Sequence, residues 1–280
     1  MAFSNNKIKG KKEFFNKGTC SRTFFYILNK EFGHPKEKEE WATDLLAGGI
    51  NQMGYQCGML WGASLGVGAQ AYRLYGNTDK TIYQSINTTK KLMLSFKNTA
   101  GSIECEDITN TDFSSKWDFA KYMITGKFYN CFRLADKWGQ ESVDLVKSEI
   151  ENDQEEADYQ VYSCASEVMK KLNSNQEEVN MVSGFAGGLG LSGSGCGVLS
   201  TLIWKVSLET VKRNNKRQTS EDQNIKTLIE TFHKETDFKI ECSDICGRKF
   251  NSIKEHSEFI KEGGCSKLIR VLSETAGKMI

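Results

Sequence analysis

The feature that most constrains this chain is a glycine-rich segment that leads to a cysteine and occurs twice in the same frame. The first copy, A-G-G-I-N-Q-M-G-Y-Q-C-G, covers residues 47–58, and the second, A-G-G-L-G-L-S-G-S-G-C-G, covers residues 186–197. Glycine allows backbone conformations and close approaches that a side chain forbids. The repeat therefore predicts two similar structural units, each with a glycine loop that positions a cysteine.

Each half of the chain carries four cysteines in matching sequence contexts. These are Cys20, Cys57, Cys105 and Cys131 in the first half and Cys164, Cys196, Cys242 and Cys265 in the second. Segments 103–108 and 240–245, I-E-C-E-D-I and I-E-C-S-D-I, agree at five of six positions, and only Cys246 has no counterpart. We expect a first four-cysteine unit over 1–139, an acidic helical extension or linker over 140–158, and a second unit over 159–280.

The composition favours helices over strands. There is one proline in 280 residues, and runs of alternating apolar and polar residues are scarce. We predict an all-α fold of two homologous helical-bundle units related by a pseudo-twofold axis. Individual helices are predicted over 58–75 and 77–97, and a long polar-faced helix over 207–232.

The charges are balanced, with 37 Lys and Arg against 36 Asp and Glu, which gives no reason to expect nucleic acid as a partner. The charge-free stretches 45–72 and 179–204 are long enough to cross a bilayer, but each contains seven glycines among polar residues. We therefore expect no membrane span. The polar, basic first residues show no secretory signal, which predicts a cytoplasmic location. Reduced cysteines in that compartment serve catalysis, redox chemistry or metal binding more often than disulfides.

Four thiols in each unit are compatible with several kinds of site. An iron–sulfur cluster needs four thiolates in a water-poor pocket, whereas a thiol/disulfide pair needs only two. Structural zinc normally comes from close C-x2-4-C pairs, which the first half lacks, and buried cysteines can also be plain core residues. Several cysteines are predicted to lie at helix starts: Cys20, Cys57, Cys131 and Cys265. Backbone N–H groups of the loops and of such helix starts can donate to sulfur. The glycines predicted to form such a cradle are Gly48, Gly49, Gly54, Gly58, Gly187, Gly188, Gly193 and Gly197.

The loop pattern, with one cysteine upstream and two downstream, resembles the C_GCAxxG_C_C family. Residues 57–62 match its Cys-Gly-Ala-x-x-Gly motif except that Met59 replaces alanine. In the second half Val198 replaces the alanine and Thr201 the last glycine. The resemblance covers almost the whole chain as two copies, and it implies a tandem duplication with redox activity.

The leading hypothesis from these features is an iron–sulfur cluster held by the four cysteines of each repeat, for electron transfer or redox sensing. An electron donor or acceptor protein is the expected partner. The alternatives are a metal-free thiol/disulfide oxidoreductase that uses Cys57 or Cys196, and a non-catalytic metal-binding module. Because Thr201 departs from the motif, the set that contains Cys57 is favoured if only one set is active.

Other residues are weaker candidates. The three histidines, His34, His233 and His256, have no matched partners across the halves and are predicted to lie on the surface or in loops. The basic residues Lys212, Arg213, Lys216 and Arg217 are predicted to form a solvated helix end, with docking of an acidic redox partner as the alternative. Trp61 and Trp204 are predicted to be core residues.

Overall fold

A computed structural model describes residues 7–113, 115–151 and 157–280. Within these ranges the chain is helical and contains no β-strand. The helices of the first half are α1 (Gly10–Lys17), α2 (Cys20–Glu31), α3 (Glu37–Ala42), α4 (Gly58–Tyr75), α5 (Asp79–Ala100), α6 (Cys105–Thr109), α7 (Lys116–Ile124) and α8 (Phe128–Glu151). Those of the second half are α9 (Cys164–Lys171), α10 (Gln176–Met181), α11 (Gly197–Asn214), α12 (Gln223–Glu235), α13 (Cys242–Cys246), α14 (Ile253–Lys261) and α15 (Ser266–Gly277).

The order of the helices repeats, which confirms the prediction of an all-α fold with two similar units. In each half a cysteine begins a helix, α2 or α9, and a short helix with a 3₁₀ turn follows. The glycine loop then leads into a central helix, α4 or α11, and the third cysteine begins α6 or α13. The predicted linker over 140–158 overlaps the end of α8, and its part at 152–156 lies outside the described residues.

The predicted helix limits agree with the structure in the first half and fail at one place in the second. Helix α4 spans the predicted residues 58–75, and α5 begins two residues later than predicted. The single helix predicted over 207–232 is wrong. Helix α11 ends at Asn214, where the next residue, Asn215, takes a left-handed conformation with φ of 51°. Asparagine tolerates this conformation and commonly ends helices in this way.

Equivalent helices of the two halves pack against each other's central helix, as a pseudo-twofold relation requires. Helix α3 of the first half packs on α11, and α10 of the second half packs on α4. Glycines allow the backbones to meet, since a Cβ at Gly68 would lie 2.3 Å from the carbonyl oxygen of Met181. The buried Trp204 donates its Nε1–H to the carbonyl of Glu39 at 3.3 Å, and Trp61 is also fully buried, as predicted. One hydrophobic core therefore runs through both halves.

Within the first half, α2 and α4 also approach closely because glycines face the contact. A Cβ at Gly62 would lie 1.9 Å from the backbone oxygen of Ser21, and one at Gly66 would lie 2.9 Å from Leu28. The second half has the buried Thr201 at the position of Gly62, so space for a side chain exists there. No helix in the described ranges is long and apolar enough to cross a membrane.

Candidate redox site

The two glycine loops share an unusual left-handed backbone. Residues 48–52 all have positive φ angles, from 52° at Asn51 to 75° at Gly49, and so do residues 187–191. Glycine adopts this conformation without strain, but Ile50 and Leu189 do so at an energetic cost. Strain of this kind concentrates at functional sites, where the surrounding structure enforces it. The repeated motif thus encodes one loop geometry twice.

In this loop conformation, a glycine N–H group points to the sulfur of the first cysteine of each set. The backbone N–H of Gly48 donates to the sulfur of Cys20, and that of Gly187 donates to the sulfur of Cys164. The sequence predicted glycine donors, but it did not indicate which sulfur they would reach.

The other predicted cradle glycines serve in different ways. Two lie against a cysteine, because a Cβ at Gly58 would be 2.7 Å from Cys20 Sγ and one at Gly188 would be 2.8 Å from Cys242 Cβ. The remaining four meet other groups: Gly49 against Tyr55, Gly54 against Glu106, Gly193 against Ser243 and Gly197 against Phe185. These four shape the loops and the helix packing, and their role in binding a cofactor stays a prediction.

All eight matched cysteines lie at or near helix N-termini. Cys20, Cys105, Cys164 and Cys242 are the first residues of their helices; Cys57, Cys196 and Cys265 are N-caps; and Cys131 is in the first turn of α8. Unpaired N–H groups and the helix dipole at such positions stabilise negative charge on sulfur. The fold therefore places these cysteines where thiolates are favoured, as the sequence predicted for several of them.

The first set brings its four thiols together. A hydrogen bond from Cys57 and the N–H of Gly48 lower the pKa of Cys20. The same hydrogen bond, burial and the charges of the other three cysteines raise the pKa of Cys57. Burial raises the pKa of Cys105, and it raises the pKa of Cys131 to about 11. These opposite directions make Cys20 the thiol of the first set that loses its proton most easily.

A cavity of about 530 Å³ opens beside this set, and all four cysteines line it. Much of its lining is aromatic, with Phe113, Phe119, Tyr122, Phe128 and Phe132 among the lining residues. The hydroxyl of Tyr122 lies 3.4 Å from Cys131 Sγ. Burial and the neighbouring sulfurs raise the pKa of Tyr122, so the hydroxyl stays protonated and is able to donate to the sulfur of Cys131. The repeat does not single out this tyrosine, because the second half has no tyrosine between Cys242 and Cys265.

The second set includes a fifth cysteine. Cys246 Sγ lies 3.9 Å from Cys242 Sγ and 3.7 Å from Cys265 Sγ. Hydrogen bonds from these two thiols lower the pKa of Cys246 to about 3, and Cys242 and Cys265 have raised pKa values in return. Burial raises the pKa of Cys164 to about 12 and that of Cys196 to about 11. The Cys242-x3-Cys246 spacing, which puts both thiols on one helix face, was the available signal for this residue.

Of two groups predicted to be exposed, one is buried, and the other is largely exposed but makes ion pairs. His256 is buried, which lowers its pKa to about 4, and its ring packs at 5.0 Å from Phe250. The prediction of a surface or loop role for this histidine is therefore wrong. In the basic segment, Arg217 pairs with Asp44 of the first half and Lys212 pairs with Glu178, so these two residues are not simply solvated. Residues 217–220 of the second half line the cavity of the first set.

A polar bridge joins the loops that carry the two sets. The buried Gln56 donates from Nε2 to Glu104 at 3.2 Å and to Glu241 at 3.1 Å, and Glu241 also accepts from the N–H of Gly195 at 2.8 Å. Burial and the charge of Glu241 raise the pKa of Glu104 to about 7. Each glutamate directly precedes the third cysteine of its set, so the sets are linked through one amide.

The role of these cysteines as metal ligands stays a prediction. Among residues 7–113, 115–151 and 157–280, no group of three or more His, Cys, Asp or Glu side chains is arranged around a point that could hold a metal ion. The structure does show two gathered sets of free thiols, each with backbone donors and apolar surroundings.

The fold and the site define an all-α protein built from two interlocked cysteine repeats. The sequence profile of a family described as "Putative redox-active protein (C_GCAxxG_C_C)" matches residues 18–140 and again residues 161–279. The chain belongs to this family and contains two copies of its unit, which confirms both the resemblance and the duplication seen in the sequence. Searches of curated proteins and of solved structures give no significant match.

Proposed function

We propose that the protein transfers or senses electrons through an iron–sulfur cluster held by Cys20, Cys57, Cys105 and Cys131. The observation that carries this proposal is that all four thiols line one cavity. In a four-iron cluster each iron binds one cysteine thiolate, and in a two-iron cluster each iron binds two. The ligand sulfurs therefore surround a group of several atoms, which is larger than a single metal ion. When bound, such a cluster supplies a one-electron redox centre.

The residues around the first set have the properties that this role requires. The N–H of Gly48 and the hydroxyl of Tyr122 donate hydrogen bonds to ligand sulfurs, and such bonds are a main influence on cluster potential. Aromatic side chains line the cavity, and Cys57 and Cys105 are buried beside it, which lowers the polarity around these two thiols. The repeat extends the proposal to Cys164, Cys196, Cys242 and Cys265 as ligands of a second cluster.

Anaerobic purification followed by iron, sulfide and visible-absorption analysis tests the proposal. We expect iron and sulfide in the wild-type protein, and a fall to about half in Cys57→Ser and in the matched variant Cys196→Ser. A colourless protein without iron after anaerobic reconstitution would overturn the proposal. A loss in Cys57→Ser alone would restrict the cluster to the first set.

Thiol–disulfide exchange is a second candidate for the second set, and the position of Cys246 between two thiols favours it. In this reaction the Cys246 thiolate attacks a disulfide of a partner protein, and one partner sulfur leaves as thiolate. The sulfur of Cys265 then displaces the other partner sulfur, while its proton passes to a leaving thiolate. The products are a Cys246–Cys265 disulfide and a partner reduced by two electrons.

Differential alkylation and mass spectrometry test this candidate. After incubation with an oxidised dithiol we expect a reversible Cys246–Cys265 disulfide, which dithiothreitol removes. The Cys246→Ser variant should form none. Absence of the disulfide in the metal-free wild-type protein would exclude this function.

A further inference from the structure

Large apolar side chains are exposed along α7 and the turn after it. Nine such side chains are exposed in the described ranges, and five of them lie within residues 117–129: Trp117, Phe119, Met123, Ile124 and Tyr129. Phe119 and Met123 also line the cavity of the first set, so they belong to the inner side of α7. Trp117 and Ile124 lie on its opposite side and are 86% and 85% exposed. A helix that is apolar on both sides normally has both sides covered.

The equivalent helix of the second half shows that the fold does not need these two apolar groups. Helix α14 follows the third cysteine of its set, as α7 does. When the repeats are aligned on their third cysteines, Trp117 corresponds to Lys254 and Ile124 to Lys261. Both lysines are exposed. The first half therefore carries large apolar groups where its own duplicate carries charges, which indicates a binding surface.

A basic depression borders this apolar surface. Its volume is about 330 Å³, and its lining includes Lys11, Lys127, Arg133 and the half-exposed Tyr129. No acidic side chain of the described residues belongs to this lining. Asp136, nearby, accepts from the backbone N–H of Lys11 at 3.0 Å. Three cations against this one neighbouring carboxylate give the depression a positive charge that is complementary to an acidic partner.

Contacts between rings join this surface to a thiol of the first set. The ring of Tyr129 stacks on Phe128 with 4.4 Å between centroids, and the centroid of Phe128 is 6.3 Å from that of Tyr122. The hydroxyl of Tyr122 lies 3.4 Å from Cys131 Sγ. A protein that docks here therefore comes close to the candidate redox site.

We infer that an acidic electron-carrier protein docks on the surface formed by Trp117, Ile124, Tyr129 and the basic depression. Tryptophan, tyrosine and arginine are the residues that most often dominate the binding energy of an interface. In the complex one electron leaves one protein and enters the other, and no bond forms or breaks. This electron transfer rests on the proposed function, whereas the docking contact itself needs no iron.

The size and charge of the surface favour such a carrier over a second copy of the chain. Helix α7 has nine residues and is about 14 Å long. Electron-transfer complexes use small interfaces, below about 1,200 Å² in total. A symmetric dimer would bring the same surface of both copies together, so each copy would add its cations to the interface.

Isothermal titration calorimetry of the full-length protein with two electron carriers tests the inference. The first probe is a small acidic two-iron ferredoxin, and the second is a basic c-type cytochrome of similar size. We expect one ferredoxin to bind per chain in about 20 mM salt, at least about tenfold more weakly in about 200 mM salt, and the cytochrome not to bind. Equal binding of both carriers, or no binding of the ferredoxin, would overturn the inference.

Substitutions by glutamine locate the apolar part of the contact. Trp117→Gln removes an aromatic group without a change in charge, and Phe238→Gln is the matched control, since Phe238 is 75% exposed in the second half. We expect Trp117→Gln to weaken ferredoxin binding at least about tenfold and Phe238→Gln to leave it unchanged. Both variants should keep the wild-type midpoint of urea denaturation, because both side chains are exposed. Equal effects of the two variants on binding would overturn the placement of the partner.

The repeat supplies a matched pair for the basic part of the contact. Arg133 and Lys267 each lie two residues after the fourth cysteine of their set, and both are exposed. We expect Arg133→Glu to weaken ferredoxin binding at least about tenfold in about 20 mM salt, and Lys267→Glu to change it less than about twofold. Equal losses would show that only the net charge matters and would overturn the role of the depression.

Other occupants of the surface give different results with the same variant. Sedimentation velocity detects self-association, and a dimer that Trp117→Gln dissociates would overturn the inference in favour of a second copy. Flotation with phosphatidylcholine–phosphatidylserine vesicles detects lipid binding, and binding that Trp117→Gln abolishes would overturn it in favour of a membrane.

Iron is measured on every sample, so that the two proposals fail separately. Ferredoxin binding to a protein that never takes up iron would overturn the cluster and leave the docking contact standing. A protein that contains iron and sulfide but binds no ferredoxin would overturn the docking contact and leave the cluster standing.

Discussion

The two cysteine sets share a loop but differ in what contacts the fourth cysteine. In the first set the hydroxyl of Tyr122 reaches Cys131, and an aromatic-lined cavity lies beside the thiols. In the second set the thiol of Cys246 reaches Cys265, and Arg248 stacks over the rings of Phe250 and Phe259 at 5.1 Å. The glycine loop has the same conformation in both halves, whereas the residues around the fourth cysteine differ. This difference indicates that the halves have diverged around a common thiol chemistry.

The largest expected effect concerns the close packing of α2 and α4. Gly62→Thr copies the residue of the second half, but its Cβ would overlap the backbone oxygen of Ser21. We expect a loss of about 3 kcal/mol in the free energy of unfolding, measured by urea denaturation. The reverse change, Thr201→Gly, should cost only about 1 kcal/mol, through helix propensity and the lost side chain. Equal costs would show that the two helix contacts are equally close.

The second prediction compares the reactivity of thiols in the two sets. Because the pKa of Cys246 is lowered to about 3, its thiolate is present throughout pH 5–7. We expect its alkylation by iodoacetamide to change less than about twofold over this range. Cys131, whose pKa is raised to about 11, should react about a hundredfold faster at pH 7 than at pH 5.

Mass spectrometry of the labelled peptides distinguishes these thiols. The variant Cys246→Thr introduces the residue found at the matched position Thr109, and it should remove the pH-independent label. A hundredfold rise of Cys246 labelling between pH 5 and pH 7 would contradict the thiolate assignment and weaken the thiol–disulfide candidate.

The third prediction concerns the carboxylates that join the sets. The pKa of Glu104 is raised from 4.5 to about 7, so the folded state holds a proton that the unfolded state releases. Stability from this group is therefore fully present below pH 4.5 and is lost as the pH rises through 7. After allowance for partial exposure, the loss is about 2 kcal/mol.

Urea denaturation measures this loss as the difference between the free energies of unfolding at pH 5 and at pH 8, and the wild-type protein is compared with two variants. Glu104→Gln should remove it. Glu241→Gln should reduce it, because the charge of Glu241 contributes to the raised pKa of Glu104. If the stability of Glu104→Gln depends on pH in the same way as that of the wild-type protein, protonation of Glu104 does not contribute to stability.

The smallest expected effect comes from the hydroxyl that distinguishes the first set. Tyr122→Phe removes one hydrogen bond to Cys131 and should lower the free energy of unfolding by about 1 kcal/mol. Tyr129→Phe is the matched control, since Tyr129 is half exposed and should change stability by less than about 0.5 kcal/mol. Thermal denaturation of the metal-free protein measures both. Equal losses of stability in the two variants would show that the contact between Tyr122 and Cys131 does not contribute to the free energy of unfolding.

Much of the fold followed from local sequence signals. The extent of α4 was predictable because the glycine loop ends at Cys57 and the apolar stretch after it ends before Gly76. The break after Asn214 was missed, since a single asparagine in a polar segment is a weak signal for a helix end. The eight matched cysteines were found from the repeat alone.

The rest of the candidate site depends on contacts between different helices and loops of the fold. Tyr122 reaches Cys131 because α7 folds against α8, and Arg217 reaches Asp44 because the second half packs on the first. The burial of His256 likewise follows from its packing against Phe250 and Gly187. Sequence spacing carries no information about such approaches.

By itself, the sequence determined that the chain is a helical tandem repeat with four matched cysteines in each copy, because the repeated motif and the apolar periodicity are properties of neighbouring residues. The tertiary structure alone decided that the halves interlock through Gly68 and that Cys246 reaches Cys265. It also completed the aromatic-lined cavity beside the first set, because residues 217–220 of the second half form part of its lining. The physical reason is that close packing fixes these neighbours, and packing is a property of the whole folded chain.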